Sequence, residues 1–355
     1  MSSSGYDRRQ FLGLSAGAAG LFCTLSDASQ VKHLSNDDVA QVDAVAAGLR
    51  KPRSAKADAV DRLRFGTPGP QPGGQVREYW IQATSATWDP VPTGRDQWMG
   101  MRLPRKRFRA FLYQEMSPGF ASPIGRPSMP GPTLRAQVGD VLRVHFRNAD
   151  RQFDQAVTMH PHGVHYNPEY DGAYLGDFTR AGGFIAPGEE FTYTWEAKED
   201  SVGAWPYHDH GPNHVLNLMR GLFGMVIIYP RGDNRPNREF PVFLGSFLPQ
   251  ISGRDAVLHT INGRAYPGNT PTFRAKVGDD VAFYVIGGNN DFHTWHIHGH
   301  RWRNSGGVPV DTPTVGPNET LIARFKEDNP GRWLYHCHVF THMDAGMAGW
   351  YLVDP

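Results

Sequence analysis

Cysteine is almost missing from this chain: two residues in 355, Cys23 and Cys337, so no disulfide framework staples the fold. Charge of one sign is missing as well. Lys and Arg number 36 against 35 Asp and Glu, a formal net charge of +1, which leaves no field that would gather nucleic acid or an anionic membrane. No apolar run reaches the length of a bilayer-spanning helix. Turn chemistry is plentiful instead, with 40 Gly, 28 Pro and 12% aromatic residues, a mix suited to many short strands rather than long helices. The other excess is histidine, 16 residues.

Residues 1–30 read as a twin-arginine export signal. Arg8-Arg9 is followed by an apolar stretch from Phe11 to about Leu25, too short to span a bilayer but suited to the core of a signal. Gly20-Leu21-Phe22 ahead of Cys23 is a poor lipoprotein box, so no membrane anchor is expected. Export to the periplasm, cell envelope or medium follows. The mature chain then holds one thiol, Cys337, in an oxidising compartment, where ligation protects it better than exposure. Residues 31–75 read as an extension. Val39, Val42, Val45, Ala46 and Leu49 predict a short helix within Ser35–Arg50, and the Pro/Gly-rich 66–74 predicts a linker.

The rest of the chain is an internal repeat. Gly131–Asp140 (GPTLRAQVGD) matches Thr270–Asp279 (TPTFRAKVGD) at seven of ten positions. His160-Pro-His162-Gly163 then matches His296-Ile-His298-Gly299, and Tyr207-His-Asp-His210 matches Tyr335-His-Cys-His338. His214, Met219 and Gly221 fall opposite His342, Met347 and Gly349 at a constant offset. Strands are predicted at 141–146, 190–195 and 225–229 in the first copy, and at 281–285, 320–325 and 350–353 in the second. Their spacing points to an all-β fold of two tandem Greek-key sandwiches, 76–232 and 233–355, joined through the charged stretch 231–238.

In an extended strand, residues i and i+2 share a face and i+1 points away. In His336-Cys337-His338 the imidazoles therefore face one side and the thiol the other, so a single strand can feed two metal sites. By the same parity His296 and His298 share a face, while His293 has the opposite parity and can join Cys337. His342 and Met347 lie five and ten residues beyond Cys337, on a loop able to curl back. Two His, one Cys and a distant Met form the ligand set of a blue copper centre; zinc accepts His and Cys but has little use for the thioether. Eight further histidines form four pairs, His160/His162, His208/His210, His296/His298 and His336/His338, enough to surround three coppers between two domains. In the first repeat Asp209 replaces the cysteine and Val157 the first histidine. No blue centre is expected there, and His214 and Met219 read as remnants that pack or hydrogen-bond with Asp209. The remaining histidines, among them His145, His165, His259 and His300, are read as surface or structural.

In that order and spacing the motifs resemble the multicopper oxidase signature, and two repeats with the cysteine in the second resemble the two-domain bacterial laccases. The resemblance implies a pair of cupredoxin domains and four coppers per active unit. His293, Cys337, His342 and Met347 would hold type 1 copper, and His160 and His296 type 2. His162, His208, His210, His298, His336 and His338 would hold the type 3 pair. It further implies Asp171 as a proton donor for oxygen reduction and Tyr166 near type 2 copper. Many laccases place a carboxylate just after the His-Cys-His triplet; Val339-Phe340-Thr341 supplies none, so the second proton relay is not carried over. The implied partners are dioxygen and a small aromatic reductant, a phenol or aromatic amine. The implied assembly is a homotrimer that closes the trinuclear cluster between subunits.

Three rivals remain. Copper nitrite reductase places its blue-copper cysteine in the first domain, where this chain has Asp209. A ferrous or cuprous oxidase shares the copper sites, although no Met-rich insertion favours cuprous ion. A non-catalytic copper-binding protein has no need of a thiolate between two histidines.

Overall fold

The computed structural model describes residues 35–52, 58–232 and 235–355. The twin-arginine segment, Cys23 and His33 lie outside these residues. The helix expected in the extension is α1 (Asn36–Gly48), opened by a reciprocal pair of hydrogen bonds between Ser35 and Asp38. The stretch 66–74 has neither helix nor strand.

The first repeat contains β1 (Val76–Trp88), β2 (Phe108–Met116), β3 (Thr133–Gln137), β4 (Val141–Asn148), β5 (His160–Pro161), β6 (Glu190–Glu196), β7 (Gly203–His208) and β8 (Phe223–Tyr229). Two four-stranded sheets, ordered β2-β1-β4-β6 and β3-β8-β7-β5, face each other across a core that includes Tyr113, Phe146, Trp195 and Tyr207. The second repeat contains β9 (Arg238–Phe247), β10 (Leu258–Ile261), β11 (Phe273–Lys276), β12 (Asp280–Gly287), β13 (His293–Ile297), β14 (Trp302–Arg303), β15 (Pro309–Val310), β16 (Thr314–Val315), β17 (Thr320–Lys326), β18 (Gly331–Cys337) and β19 (Ala348–Asp354). Its sheets are ordered β10-β9-β12-β17 and β11-β19-β18-β13-β16, the same order strand for strand with one short strand added, and β14 and β15 form a separate ribbon. All six predicted strands are present. Each main sheet also carries one parallel pair (β1 with β4, β3 with β8, β9 with β12, β11 with β19), which chain connections longer than a hairpin make possible.

The repeated Gly-Asp turn has a structural task. Asp140 accepts the backbone N–H of Gln75 and Gln137 and the Arg77 guanidinium at 2.8 Å. Asp279 likewise accepts Lys276 N–H and Arg238 at 3.0 Å. Tyr207 donates to the Pro132 carbonyl and Tyr335 to that of Pro271, tying each His-bearing strand to its proline loop.

A third apolar cluster joins the two sandwiches, with Phe223 stacked on Phe243 at 3.7 Å between ring centroids. Helix α1 inserts Val39 and Val42 into this cluster and also buries Ala46. Its Asp43 receives both guanidinium nitrogens of buried Arg220, at 2.7 and 2.5 Å, and the side-chain amides of Gln155 and Asn213. Deleting one partner of a buried pair strands the other charge, at about 3–5 kcal/mol when both are fully buried. Because the Asp43 side chain is 26% exposed, Asp43→Ala is expected to cost roughly 2–3 kcal/mol, read as a lowered urea midpoint. An unchanged midpoint contradicts this anchoring role.

Candidate metal centres

Cross-strand register sets the histidines face to face. His160 on β5 stands directly opposite His208 on β7, and His296 on β13 opposite His336 on β18. Such neighbours lie on one face of a sheet. His162 Nε2 is 3.0 Å from His208 Nε2, and His298 Nε2 is 3.1 Å from His336 Nε2. His210 and His338 complete the two sets, their rings 5.2 Å from His160 and 5.5 Å from His296.

The other nitrogen of four rings is occupied by a backbone carbonyl: His160 Nδ1 by Asp171 O, His208 by Asp209 O, His296 by Asp311 O and His336 by Cys337 O. A carbonyl only accepts, so Nδ1 carries the proton and Nε2 presents a lone pair inward. Lone pairs 3.0 Å apart suit one shared cation, since two nitrogens about 2.0 Å from one metal ion at roughly 90–110° stand about 2.8–3.3 Å apart. Burial first, then neighbouring imidazoles, lowers His162 and His336 to a pKa of about 4, and it lowers His208, His210 and His298 too.

Parity holds at the cysteine. Cys337 is fully buried and turned away from His336, with its sulfur 3.8 Å from His293 Nδ1 and 3.7 Å from His342 Nδ1. Donors about 2.0 and 2.3 Å from one ion and roughly 120° apart stand about 3.7 Å from each other. His342 sits on α4 (Phe340–Asp344), which follows α2 (His214–Arg220) and α3 (Pro249–Ser252) along the chain. Met347 is fully buried in the same apolar cluster, and its carbonyl accepts Cys337 N–H. Burial raises the thiol's pKa, opposed by backbone donors from Thr294 and Val339. Both candidate centres fit copper by donor type and spacing.

The first repeat keeps the same frame without the thiol. Thr294 N–H points at the Cys337 sulfur, and Thr158 N–H points at the Asp209 carboxylate, 2.8 Å away. Thr158 and Thr294 hydroxyls likewise accept His210 and His338 N–H. One expectation needs correcting here. His208 pairs with Phe223 and His336 with Ala348, so the counterpart of Met347 is Leu222, not Met219. The first repeat's helix is longer, seven residues against five, and the constant offset fails beyond it. Gly224, not Gly221, is therefore the counterpart of Gly349; a Cβ at either would meet the tyrosine ring of Tyr207 or Tyr335 at 2.3 Å. His214 does not bond Asp209 either: its Nδ1 meets Gly211 O and its ring stacks on His210, while Asn217 donates to Asp209.

Asp171 and Tyr166 both reach His160. The Asp171 carboxylate lies 3.3 Å from His160 Nδ1, and the Tyr166 ring 5.9 Å from the imidazole. Hydrogen bonding from His160 is the largest influence holding Asp171 below the usual carboxylate range; burial, then Asp171, raises Tyr166. Among the described residues, the groups spaced to hold a metal ion keep the two histidine sets apart: His160, His162 and His208 in one, His296, His298 and His336 in the other. His298 and His338 are exposed. A cleft of about 360 Å³ opens beside the first set, lined also by Asn289, Asn290 and Asn318 of the second repeat.

Sequence reasoning missed the four carbonyl acceptors, because backbone geometry has no sequence signature. It also missed His259, whose ring stacks on His342 at 4.0 Å. His300 is structural, buried against Glu327 at 2.9 Å; His145 stacks on Trp80, and His165 pairs with Asp200.

His162, His293 and His336 sit near pKa 4 in the fold against 6.5 as ordinary side chains. Between those values the unfolded chain binds more protons, so stability falls as pH drops from 6.5 to 4 and levels off below. Thermal melts of copper-free protein across that window are expected to show the decline; a rise in Tm on acidification contradicts it.

Profiles of the multicopper oxidase family match residues 126–233 and 245–355. A probable nitrite reductase–hydroxylamine oxidoreductase fusion protein of Kuenenia stuttgartiensis is 31% identical over 64% of this chain and 28% of its own length. The ferroxidase HEPHL1 of Homo sapiens is 27% identical over 85% of this chain and 31% of its own. The chain thus spans under a third of either relative. A solved multicopper oxidase structure superposes with a TM-score of 0.63 at 24% identity, covering 82% of this chain and 94% of that one.

Proposed function

Because the chain belongs to the multicopper oxidase family, we propose that it couples one-electron oxidation of small reductants to the four-electron reduction of dioxygen to water, in the manner of the two-domain laccases. One observation carries the reading: a single strand turns Cys337 toward His293 and His342 on one side, and His336 toward His296 and His298 on the other. A thiolate so placed joins an electron-accepting centre to an oxygen-reducing one through a few covalent bonds.

In this proposal His293, Cys337, His342 and Met347 hold one copper and the eight paired histidines hold three. The coppers, when bound, supply the one-electron redox chemistry and the reduction of oxygen. The protein's own work is preparatory. The carbonyls of Asp171, Asp209, Asp311 and Cys337 fix four imidazole tautomers, so that ligand lone pairs are ready without rearrangement. Thr294 N–H steadies the thiolate. Asp171, ionised and half-buried between His160 and Tyr166, is positioned to take protons from solvent and pass them toward the His160 side.

The separation of the two histidine sets within one chain, and the exposure of His298 and His338, support closure of the cluster between copies in a ring of three. Asp209 in the thiol's place weighs against nitrite reduction. Oxygen uptake by copper-loaded protein, offered a phenol, ferrous ion, cuprous ion and nitrite in turn, tests the reductant class. A native mass of three chains is expected, and a monomer with full oxygen reduction overturns the ring.

A further inference from the structure

We propose that the N-terminal extension is a positioning element of the oxygen-reducing half-site, acting chiefly through Asp43 of α1 on His208 and His210; this rests on the oxidase reading above. In the second repeat α4 brings His342 within 3.7 Å of the Cys337 sulfur, so helix and strand share a metal ion when copper is bound. The first repeat has the corresponding helix, α2, but Asp209 stands in place of the thiol. Hydrogen bonds make the tie instead. Asn217, fully buried within α2, donates to Asp209 at 3.0 Å. Asp209 also accepts the N–H groups of Thr158 and Gly211, at 2.8 and 3.0 Å, and it lies between His208 and His210 in the chain. The ring of His214, the first residue of α2, stacks on His210 with centroids 4.8 Å apart and planes 24° apart. The place of α2 therefore sets the place of both imidazoles.

Seven residues are too few for a helix to persist unaided. Asp43 holds α2 at both ends. Arg220, its last residue, gives both guanidinium nitrogens at 2.7 and 2.5 Å, and Asn213, at its N-cap, gives its amide at 3.0 Å. Both are buried, at 5% and 2% exposure. The Gln155 amide reaches the same carboxylate at 2.8 Å, which extends the tie to the segment leading into Thr158 and His160. Further along, the extension holds the other flank of the histidine set. Gly66 O accepts the Asn167 amide at 3.2 Å, and the Thr67 hydroxyl meets that of Tyr170 at 2.8 Å, on the loop that brings Asp171 to His160. One segment thus clasps a helix and a loop on opposite sides of four imidazoles. Such support counts because a ligand misplaced by on the order of 1 Å can cost about a hundredfold in rate, and protein ties preset that spacing before any metal arrives.

The test uses the copper-loaded full chain. Asn217→Ala is expected to lower kcat for oxygen uptake roughly tenfold and Asp43→Asn at least about threefold, with the reductant KM and the blue absorption unchanged. Asp43→Glu, which keeps the carboxylate, is expected to recover most of the loss. As a reading independent of turnover, the electron paramagnetic resonance of the histidine-held type 2 copper is expected to shift in Asn217→Ala and Asp43→Asn, while that of the Cys337 copper stays in place. Combined in one chain, the two substitutions are expected to cost no more than Asn217→Ala alone, because they cut one line of contacts. A lowered urea midpoint with unaltered resonance and kcat makes Asp43 a fold anchor only and overturns the proposal, as do losses that multiply in the double variant. Should Asp43→Asn fail to fold, exposed Thr67→Val takes its place: a shifted type 2 resonance supports the clasp and an unchanged one overturns it. A parent chain that takes up no oxygen with any reductant sinks the oxidase reading and the kcat arm with it, while the resonance still decides the positioning.

Discussion

Cys337→Ser is expected to abolish the intense blue absorption and reduce substrate oxidation to background, while the three coppers held by histidine stay bound. Serine nearly preserves the volume of the side chain, so the fully buried site should not collapse. What changes is the donor: a hydroxyl stays protonated where the thiol, even one raised by burial, yields its proton to a metal ion. Charge transfer from the sulfur and the covalent path to His336 and His338 vanish together. Metal analysis, the visible spectrum and oxygen uptake on one preparation decide the matter. Retained colour would remove Cys337 from the centre, and loss of all four coppers would show that the two centres depend on each other for assembly.

His162→Ala is expected to stop oxygen consumption while substrate still bleaches the blue centre, because His162 faces His208 in the first sandwich and Cys337 lies in the second. His298→Ala is expected to behave alike from the other half of the cluster. The stronger form of the experiment mixes the two. If each cluster draws one half from each of two neighbours, subunits carrying His162→Ala and subunits carrying His298→Ala can complement one another. At random equal mixing about one interface in four then has both halves intact. Recovery of roughly that share of activity supports the shared site. No recovery in a co-assembled mixture places both halves in a single chain.

Much of this was legible before any fold was known, and the reasons are local. Strand parity is a two-residue property, so His336-Cys337-His338 announced two faces and two sites by itself, and the sulfur does face His293 and His342. The repeat announced two sandwiches of one design, since equal motifs recur in equal sequence, and the sheets of both do run in the same strand order. The reading failed where spacing stood in for geometry. A longer helix between Asp209 and β8 moves Leu222 into the place assigned to Met219, and no local pattern reveals such an insertion.

By itself, then, the sequence determined which side chains can bind metal and on which side of a strand each must lie, because covalent geometry fixes alternation along an extended chain. Tertiary structure alone decided the rest: which carbonyl fixes each imidazole tautomer, that α1 is anchored through Asp43 to Arg220, and that His259 reaches His342 from 83 residues away in the chain. Those contacts join segments remote in sequence. Only the packing of one sandwich sheet on another, and of one sandwich on its neighbour, brings them within reach.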